Sequence, residues 1–204
     1  MKKVVLSQRV DFISDRNESR DSLDQRLIDL LLFADLLPIP VPNALGGRFN
    51  NNKQEKHWFD VWIEAVDPQG VVLSGGNDIQ EFPGRYQVEY WLLEYAKQRS
   101  LPLLGICRGM QMIGTYAGVK LKAVAGHVRT RHQLSHGFSG EANSFHRFSL
   151  NECPSNFCVL ARSEDGEIEA IRHDFLPWQG WMWHPERELN YSSRDVKQIR
   201  ELFK

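Results

Sequence analysis

LLGICRGMQM, residues 103–112, joins an apolar run to a helical pattern through a single cysteine. Cys107 ends the apolar run, Gly109 follows two residues later, and residues 110–117 have the spacing of a helix. This order is typical of a nucleophile elbow, where glycine keeps a tight strand-to-helix turn free of a colliding Cβ. The helix amino terminus would favour a thiolate at Cys107. The alternative is a small buried thiol in the core.

A base for this sulfur is predicted near the end of the chain. Residues 180–186 read GWMWHPE, so an apolar strand ends at His184 and Glu186 follows two residues later. In extended backbone, residues i and i+2 project to the same side. Glu186 could then accept a hydrogen bond from one ring nitrogen of His184 while the other nitrogen faces Cys107. The alternative is a surface histidine next to an unrelated acidic turn.

Acyl transfer also needs hydrogen-bond donors for a developing oxyanion. Two sources fit: the backbone amide of Arg108, and an amide of the Ser74-Gly75-Gly76 turn that follows an apolar strand at residues 70–73. An ordinary glycine turn is the alternative for the second source.

The surrounding pattern predicts an α/β fold in one domain, residues 1–204. Short apolar strands at residues 4–6, 39–41, 70–73 and 101–106 alternate with helical stripes, which indicates a parallel sheet covered on both faces. Residues 46–56 are predicted to be a surface loop and 61–66 a short helix. After Gly118, strands are predicted at residues 145–150, 159–161, 168–171 and 180–183, with a hairpin turn at 164–167 and a terminal helix.

Composition excludes several classes of function. The 204 residues carry a net charge of −1, so the chain is not built to coat a nucleic-acid polymer or an anionic membrane. No apolar run approaches the length of about 18 residues that a membrane span needs, and the start is too short in apolar residues for a signal peptide. Three cysteines give no disulfide framework, and a cytoplasmic location is expected.

Four segments carry a resemblance to a known family. They are GICRGMQ at residues 105–111, SGGND at 74–78, NSFH at 143–146 and HPE at 184–186. Together they resemble the class I glutamine amidotransferase superfamily, and within it the stand-alone γ-glutamyl hydrolases of the peptidase C26 group. The resemblance implies a flavodoxin-like, three-layer α/β/α fold with a mainly parallel central sheet. It also implies a Cys107–His184–Glu186 triad that forms a γ-glutamyl thioester, without a cofactor.

The same resemblance assigns the remaining site residues. The amides of Gly76 and Arg108 would form the oxyanion hole. Contacts with the substrate are expected from a larger set: Gly75, Asn77, Gln111, Asn143, Ser144 and Phe145. Asn77 and Asp78 stand where many amidotransferases have a proline, which fits the stand-alone hydrolases better.

The substrate is expected to be a small γ-glutamyl amide. Several motifs are most similar to the hydrolases that split CDP-glutamine into glutamate and cytidine diphosphoramidate during capsule phosphoramidate biosynthesis. A γ-glutamyl-γ-aminobutyrate hydrolase, and a glutaminase subunit that delivers ammonia to a separate synthetase, remain alternatives. The basic segment 126–136 offers Arg129, Arg131 and His132 for a diphosphate, although a solvated charged loop explains it equally well.

Other interpretations are weaker. The spacing of His127, His132 and His136 matches neither a zinc finger nor His-Glu-x-x-His, so no metal is predicted. Cys153 and Cys158 lack a second ligand pair. A non-catalytic scaffold is disfavoured because all three triad residues are present, and homodimer formation is left open.

Overall fold

The computed structural model describes residues 1–47 and 52–204, which form a mixed nine-stranded sheet, two small two-stranded sheets and five α-helices. The helices are α1 (Gln25–Phe33), α2 (Asn52–Val66), α3 (Pro83–Arg99), α4 (Arg108–Tyr116) and α5 (Ser193–Leu202). The strands are β1 (Lys2–Leu6), β2 (Arg9–Ile13), β3 (Glu18–Ser22), β4 (Leu36–Pro40), β5 (Gly70–Leu73), β6 (Leu103–Ile106), β7 (Leu121–Ala123), β8 (Val128–His136), β9 (Gly140–Phe145), β10 (Phe148–Leu150), β11 (Phe157–Arg162), β12 (Ile168–His173) and β13 (Trp178–Trp181).

The large sheet has a parallel half and an antiparallel half. Its order is β4-β1-β5-β6-β13-β12-β11-β8-β9, and the first five strands pair in parallel. From β13 outward every pairing is antiparallel. Strands β6 and β13 are neighbours at the centre, so the residues that follow them emerge at the same edge of the sheet.

Apolar residues alternate between the two faces of the parallel half, as a sheet buried on both sides requires. Val4 and Leu6 pack with α1 and α5, whereas Val5 packs on the opposite face with α2, α3 and α4. Helices therefore cover both faces in three layers, and the predicted α/β/α architecture with a parallel centre is confirmed. Asp24 caps α1 by accepting a hydrogen bond from the Arg26 amide at 3.0 Å.

Several predicted element boundaries differ from the structure, among them the helix expected at residues 61–66, which is α2 and begins at Asn52. The loop expected at residues 46–56 is wrong for 52–56, which belong to α2, while 48–51 lie outside the described residues. The single strand expected at residues 145–150 is two strands, β9 and β10, in different sheets. The basic segment 126–136 is not a loop. Most of it is strand β8, which pairs antiparallel with β9.

The sequence analysis missed the β2–β3 hairpin. Its exposed, charged residues hide the usual alternation of a half-buried strand. Within residues 1–47 and 52–204, no helix combines the length and the apolar character that crossing a membrane requires.

Candidate active site

Cys107 occupies a sharp turn between β6 and α4. Its backbone lies at φ 51° and ψ −104°, a conformation that side chains rarely adopt, and its amide donates to the Trp181 carbonyl of β13 at 2.7 Å. A Cβ on Gly109 would collide with the Leu73 carbonyl oxygen, so only glycine lets α4 start this close to β5. The strand–turn–helix geometry of a nucleophile elbow is thus present.

His184 follows the neighbouring strand β13 and reaches this sulfur. The His184 ring interacts with the Cys107 side chain, and its Nδ1 donates to Glu186 Oε1 at 2.6 Å. Both His184 and Glu186 are buried. The expected route to this contact was wrong in one respect: Pro185 begins a 3-10 turn, Pro185–Arg187, so the tight turn rather than extended backbone brings the carboxylate to the ring.

The surroundings of the His184 ring favour its protonated form. Burial lowers the pKa of His184, but its interactions with Cys107 and with Glu186 outweigh burial and raise the pKa to about 9. The imidazolium is therefore the form present at neutral pH.

The Ser74-Gly75-Gly76 turn lies against this pair. A Cβ on Gly75 would be 2.7 Å from His184 Cε1, so the glycine lets the ring pack directly over the backbone. Gly76 has φ 111°, which favours glycine, and within the described part of the chain its amide has no hydrogen-bond partner. That amide is free to donate to a bound group, as the oxyanion prediction needs.

A buried ionic network that the sequence analysis missed supports the turn. Arg108 forms an ion pair with Glu89 and donates through Nε to the Asn77 carbonyl at 3.1 Å. Arg85 bonds the same Glu89 at 3.0 Å and the carbonyls of Ser74 and Gly75 at 2.8 and 3.0 Å. Burial lowers the pKa of Arg85 to about 9 and also lowers that of Arg108. The sequence did contain a sign of the Arg85–Glu89 pair, because the two residues are four apart and lie next to the apolar residues Val88 and Leu92.

Asn143 and Ser144, which were predicted to bind the substrate, form hydrogen bonds with other groups of the protein instead. Asn143 accepts from the His184 amide at 3.0 Å and donates to the His184 carbonyl at 2.8 Å. Its amide also donates to Glu188 at 2.7 Å. Ser144 Oγ donates to the His127 carbonyl at 2.8 Å and is fully buried. Asn143 therefore fixes the backbone that carries His184, whereas Ser144 anchors β9.

The other predicted contacts divide similarly. Asn77 pairs with both backbone groups of Val10, at 2.8 and 2.9 Å, and so ties β2 to the glycine turn instead of pointing into the site. Gln111 donates to the Phe148 carbonyl at 2.9 Å. The Phe145 ring meets the His184 ring edge-on at 5.8 Å and is partly exposed. Of this set, Phe145 is exposed, whereas Gly75 and the largely buried Gln111 each border a cavity.

Two cavities adjoin these residues. One of about 300 Å³ is bordered by His184, Glu186, Gly75 and Gly76. Its charged rim is mixed: Arg9 and Arg187 lie there with Asp11 and Asp24, and Arg9 pairs with Asp11 at 2.8 Å. The other, about 690 Å³, lies beyond Gln111.

The two arginines that were expected to bind a diphosphate, Arg129 and Arg131, do not border the cavity beside His184. Arg131 pairs with Glu141 at 2.7 Å and with Glu188 at 3.1 Å, so its charge is already balanced. Arg129 is exposed, at φ 57°, at a bulge of β8. Arg187 stacks on Phe145 at 4.5 Å beside the His184 cavity. The sequence analysis missed Arg9 and Arg187, because neither belongs to a basic run.

Fold and site together define a class: α/β enzymes with a cysteine at a strand-to-helix elbow and a histidine–glutamate pair from the adjacent strand. The family described as glutamine amidotransferase class-I matches residues 48–198. The chain belongs to this family and is an enzyme of the amide-cleaving amidotransferase type.

Two curated relatives and two solved structures illustrate the similarity. A gamma-glutamyl-CDP-amidate hydrolase from Campylobacter jejuni is 35% identical, covering 97% of this chain and 96% of the relative. A subunit of the glutamine-hydrolysing GMP synthase of Pyrococcus abyssi is 31% identical, covering 66% and 74%. A solved Thermoplasma acidophilum protein (TM-score 0.69, 20% identity, covering 100% of this chain and 94% of that one) shares the fold. A glutamine amidotransferase from Thermotoga maritima also shares the fold, with a TM-score of 0.62 and 15% identity, covering 98% of this chain and 94% of that one.

Proposed function

We propose that this protein is a cysteine-dependent hydrolase that cleaves the γ-glutamyl amide bond of a small substrate through a γ-glutamyl thioester. The observation that carries the proposal is the hydrogen bond between His184 and Glu186 beside Cys107, which stands on the elbow between β6 and α4. Each of the three has the chemical character its role needs: a nucleophile, a proton carrier and a group that orients the carrier.

The reaction follows from these positions. The Cys107 thiolate attacks the δ-carbonyl carbon, and the amides of Gly76 and Arg108 stabilise the resulting oxyanion. The His184 imidazolium gives its proton to the leaving nitrogen as the C–N bond breaks. The neutral ring then takes a proton from water, whose oxygen adds to the thioester. Collapse of this second intermediate releases glutamate and restores the thiolate.

Among γ-glutamyl amides we favour CDP-glutamine, with cytidine diphosphoramidate as the second product and capsule phosphoramidate biosynthesis as its use. The support is the extent of similarity, because the Campylobacter jejuni hydrolase aligns with nearly the whole of both chains. Alignment with the GMP synthase subunit covers 66% of this chain. Gln111 and Phe145 would contact the glutamyl group, and Asn143 would act by holding the His184 backbone.

Two arginines at the cavity beside His184 are available to an anionic leaving group once Arg9 exchanges its partner Asp11 for that group. Arg9 and Arg187 border this cavity, and a diphosphate is bound best by such guanidinium groups. We assign the contacts with the diphosphate to these two residues rather than to Arg129 and Arg131 of β8, the sequence-based candidates. Substitution of Arg9 and Arg187 by Ala would raise KM for CDP-glutamine but not for a γ-glutamyl anilide. Substitution of Arg129 and Arg131 is the matched control.

The decisive experiment measures glutamate release from CDP-glutamine, γ-glutamyl-γ-aminobutyrate and glutamine. Wild type should turn over CDP-glutamine without a partner and with the highest kcat/KM of the three. Cys107→Ala should be inactive, and Cys158→Ala, which removes a partly exposed cysteine elsewhere, should be fully active. Iodoacetamide at neutral pH should label Cys107 ahead of the other two cysteines. Turnover that survives in Cys107→Ala would contradict the proposal.

A glutaminase subunit is the second candidate function, favoured by the similarity to the GMP synthase subunits of this family. Such a protein would release little ammonia from glutamine alone and more when a synthetase partner is added. Preferential turnover of γ-glutamyl-γ-aminobutyrate would instead leave the mechanism intact and change the substrate. The cytoplasm is the location that fits either role.

A further inference from the structure

A second cluster of titratable side chains lies behind β9, apart from the Cys107 site. His127, His146 and Glu169 are each at most 2% exposed. His127 precedes β8, His146 follows β9, and Glu169 lies on β12, so three elements converge. Three atoms face one another: His127 Nδ1 and His146 Nε2 are 3.2 Å apart, and Glu169 Oε1 is 3.4 Å from each.

The outer nitrogens of both rings fix the state of the inner nitrogens. His146 Nδ1 donates to the Phe148 carbonyl at 3.1 Å, since a carbonyl oxygen can only accept. His127 Nε2 donates to the Asp165 carboxylate at 2.9 Å. In the neutral rings, His127 Nδ1 and His146 Nε2 therefore carry lone pairs directed at each other. Histidines that bind metals are commonly oriented in this way by an outer carboxylate or carbonyl.

The two ring nitrogens and the carboxylate oxygen need a positive charge between them, which a metal ion or a proton shared by the rings can supply. Among the described residues, Glu169 Oε1 and His132 Nε2 are buried and have no hydrogen-bond partner. The His132 ring lies 4.2 Å from the His127 ring, centroid to centroid. Ligand atoms of His127, His132 and Glu169 lie within 4.8 Å of one another. His132 thus closes the remaining side of the cluster.

The spacing fits a tetrahedral ion. Zinc binds histidine nitrogen and carboxylate oxygen at about 2.0–2.2 Å, which puts the ligand atoms of a tetrahedron about 3.3 Å apart. The three distances of 3.2, 3.4 and 3.4 Å match this edge length. Imidazole nitrogen with one carboxylate suits Zn²⁺ and its first-row neighbours, and does not suit Mg²⁺.

We propose that His127, His146 and Glu169 bind one Zn²⁺ or similar first-row divalent cation, with His132 as the fourth ligand. This differs from the sequence prediction of no metal, which considered His127 and His132 together with His136. In the structure His136 is exposed and outside the cluster. Glu169 could not be recognised as a ligand from the sequence, because only the folded chain brings β12 next to the histidines.

The ion would stabilise the segment that positions the candidate catalytic histidine. The His127 carbonyl accepts from Ser144 Oγ at 2.8 Å and from the His146 amide at 3.0 Å. The cluster is therefore hydrogen-bonded to the chain on both sides of Phe145, at the end of β9. β9 also carries Asn143, which holds the His184 backbone. Bound metal would therefore link β12 to β9 and raise the unfolding temperature whether or not the enzyme is active.

The test uses metal-stripped full-length protein and two probes, Co²⁺ and Zn²⁺. Dialysis should leave one ion per chain, Co²⁺ should show the strong visible bands of tetrahedral coordination, and Zn²⁺ should displace it and raise Tm. Mg²⁺ should do neither. Asp165→Asn, which removes an exposed outer partner, should weaken Zn²⁺ binding by about 10–100-fold.

The ligand variants and a matched control separate a built site from adventitious binding. His146→Gln and Glu169→Gln should lose the visible Co²⁺ bands, whereas His136→Asn should keep them. Absence of stoichiometric binding to wild type would overturn the proposal, as would equal binding to the ligand variants.

Discussion

At the scale of single residues, Glu186 adds to the effect of Cys107 in raising the proton affinity of His184. The carboxylate accepts from Nδ1 at 2.6 Å inside the protein, where little water screens it. Because the folded-state pKa of His184 is raised to about 9, the imidazolium persists through neutral pH and is lost as pH rises through that value. Acid catalysis of leaving-group departure should fall over the same range.

Glu186→Gln tests this relation. Loss of the negative charge removes one of the causes that raise the pKa of His184, so the alkaline limb of the kcat/KM profile should move to lower pH. The maximum rate should fall by about 10²–10⁴-fold, the range of a general acid–base contribution. The measurement is a pH–rate profile from pH 5 to about 10. An unchanged alkaline limb would show that Glu186 does not act through the ring.

Asn143 is where the sequence and the structure assign different roles. The resemblance makes it a substrate contact, but its side chain is bonded to both backbone groups of His184. Asn143→Asp keeps the acceptor for the His184 amide but removes the donor to the His184 carbonyl. It also places a second carboxylate against Glu188. We expect kcat to fall by about 10²-fold, the cost of a small misplacement, with KM little changed. A rise in KM alone would restore the substrate role; Glu141→Gln on the same strand is the control.

At the scale of elements, the parallel half of the fold was predictable and the antiparallel half was not. Strands β5 and β6 are short and apolar throughout, and β1 ends in three buried apolar residues, so composition alone identifies them. β8 consists mainly of exposed polar residues, and its pairing with β9 involves a bulge near Arg129. Such a strand is defined by its partner rather than by its own pattern. The elbow was predictable for the opposite reason, because its strand, cysteine and glycine are consecutive.

The link between α3 and α4 could not be predicted, since it depends on a carboxylate shared by residues far apart in sequence. Glu89→Gln would leave the buried guanidinium groups of Arg85 and Arg108 without their counter-charge. We expect a loss of about 3–5 kcal/mol in the free energy of unfolding, measured by urea denaturation. Asp60→Asn breaks the exposed i,i+4 pair with Lys56 and should cost about 0.3–0.5 kcal/mol. Equal effects would contradict the network's role.

At the scale of the whole molecule, the large sheet ends at β4 on one side and at β9 on the other. The Val41 amide donates to the Leu6 carbonyl at 2.9 Å, so the amides of alternate residues 37 and 39 face β1 as well. Pro38 and Pro40 then occupy the positions whose nitrogens face outward. Proline has no N–H, so this edge offers no donor at two successive outward positions.

Replacing both prolines by threonine should restore those donors and open the edge to another strand. Edge strands with free donors and acceptors pair with other chains, and Leu37 beside them is already 43% exposed. We expect Pro38→Thr/Pro40→Thr to self-associate with rising concentration in size-exclusion chromatography with light scattering. Pro42→Thr, beyond the end of β4, should elute as wild type does. If the double variant also elutes unchanged, the outward nitrogens do not limit pairing, and any dimer through β4 must be blocked by another feature of this edge.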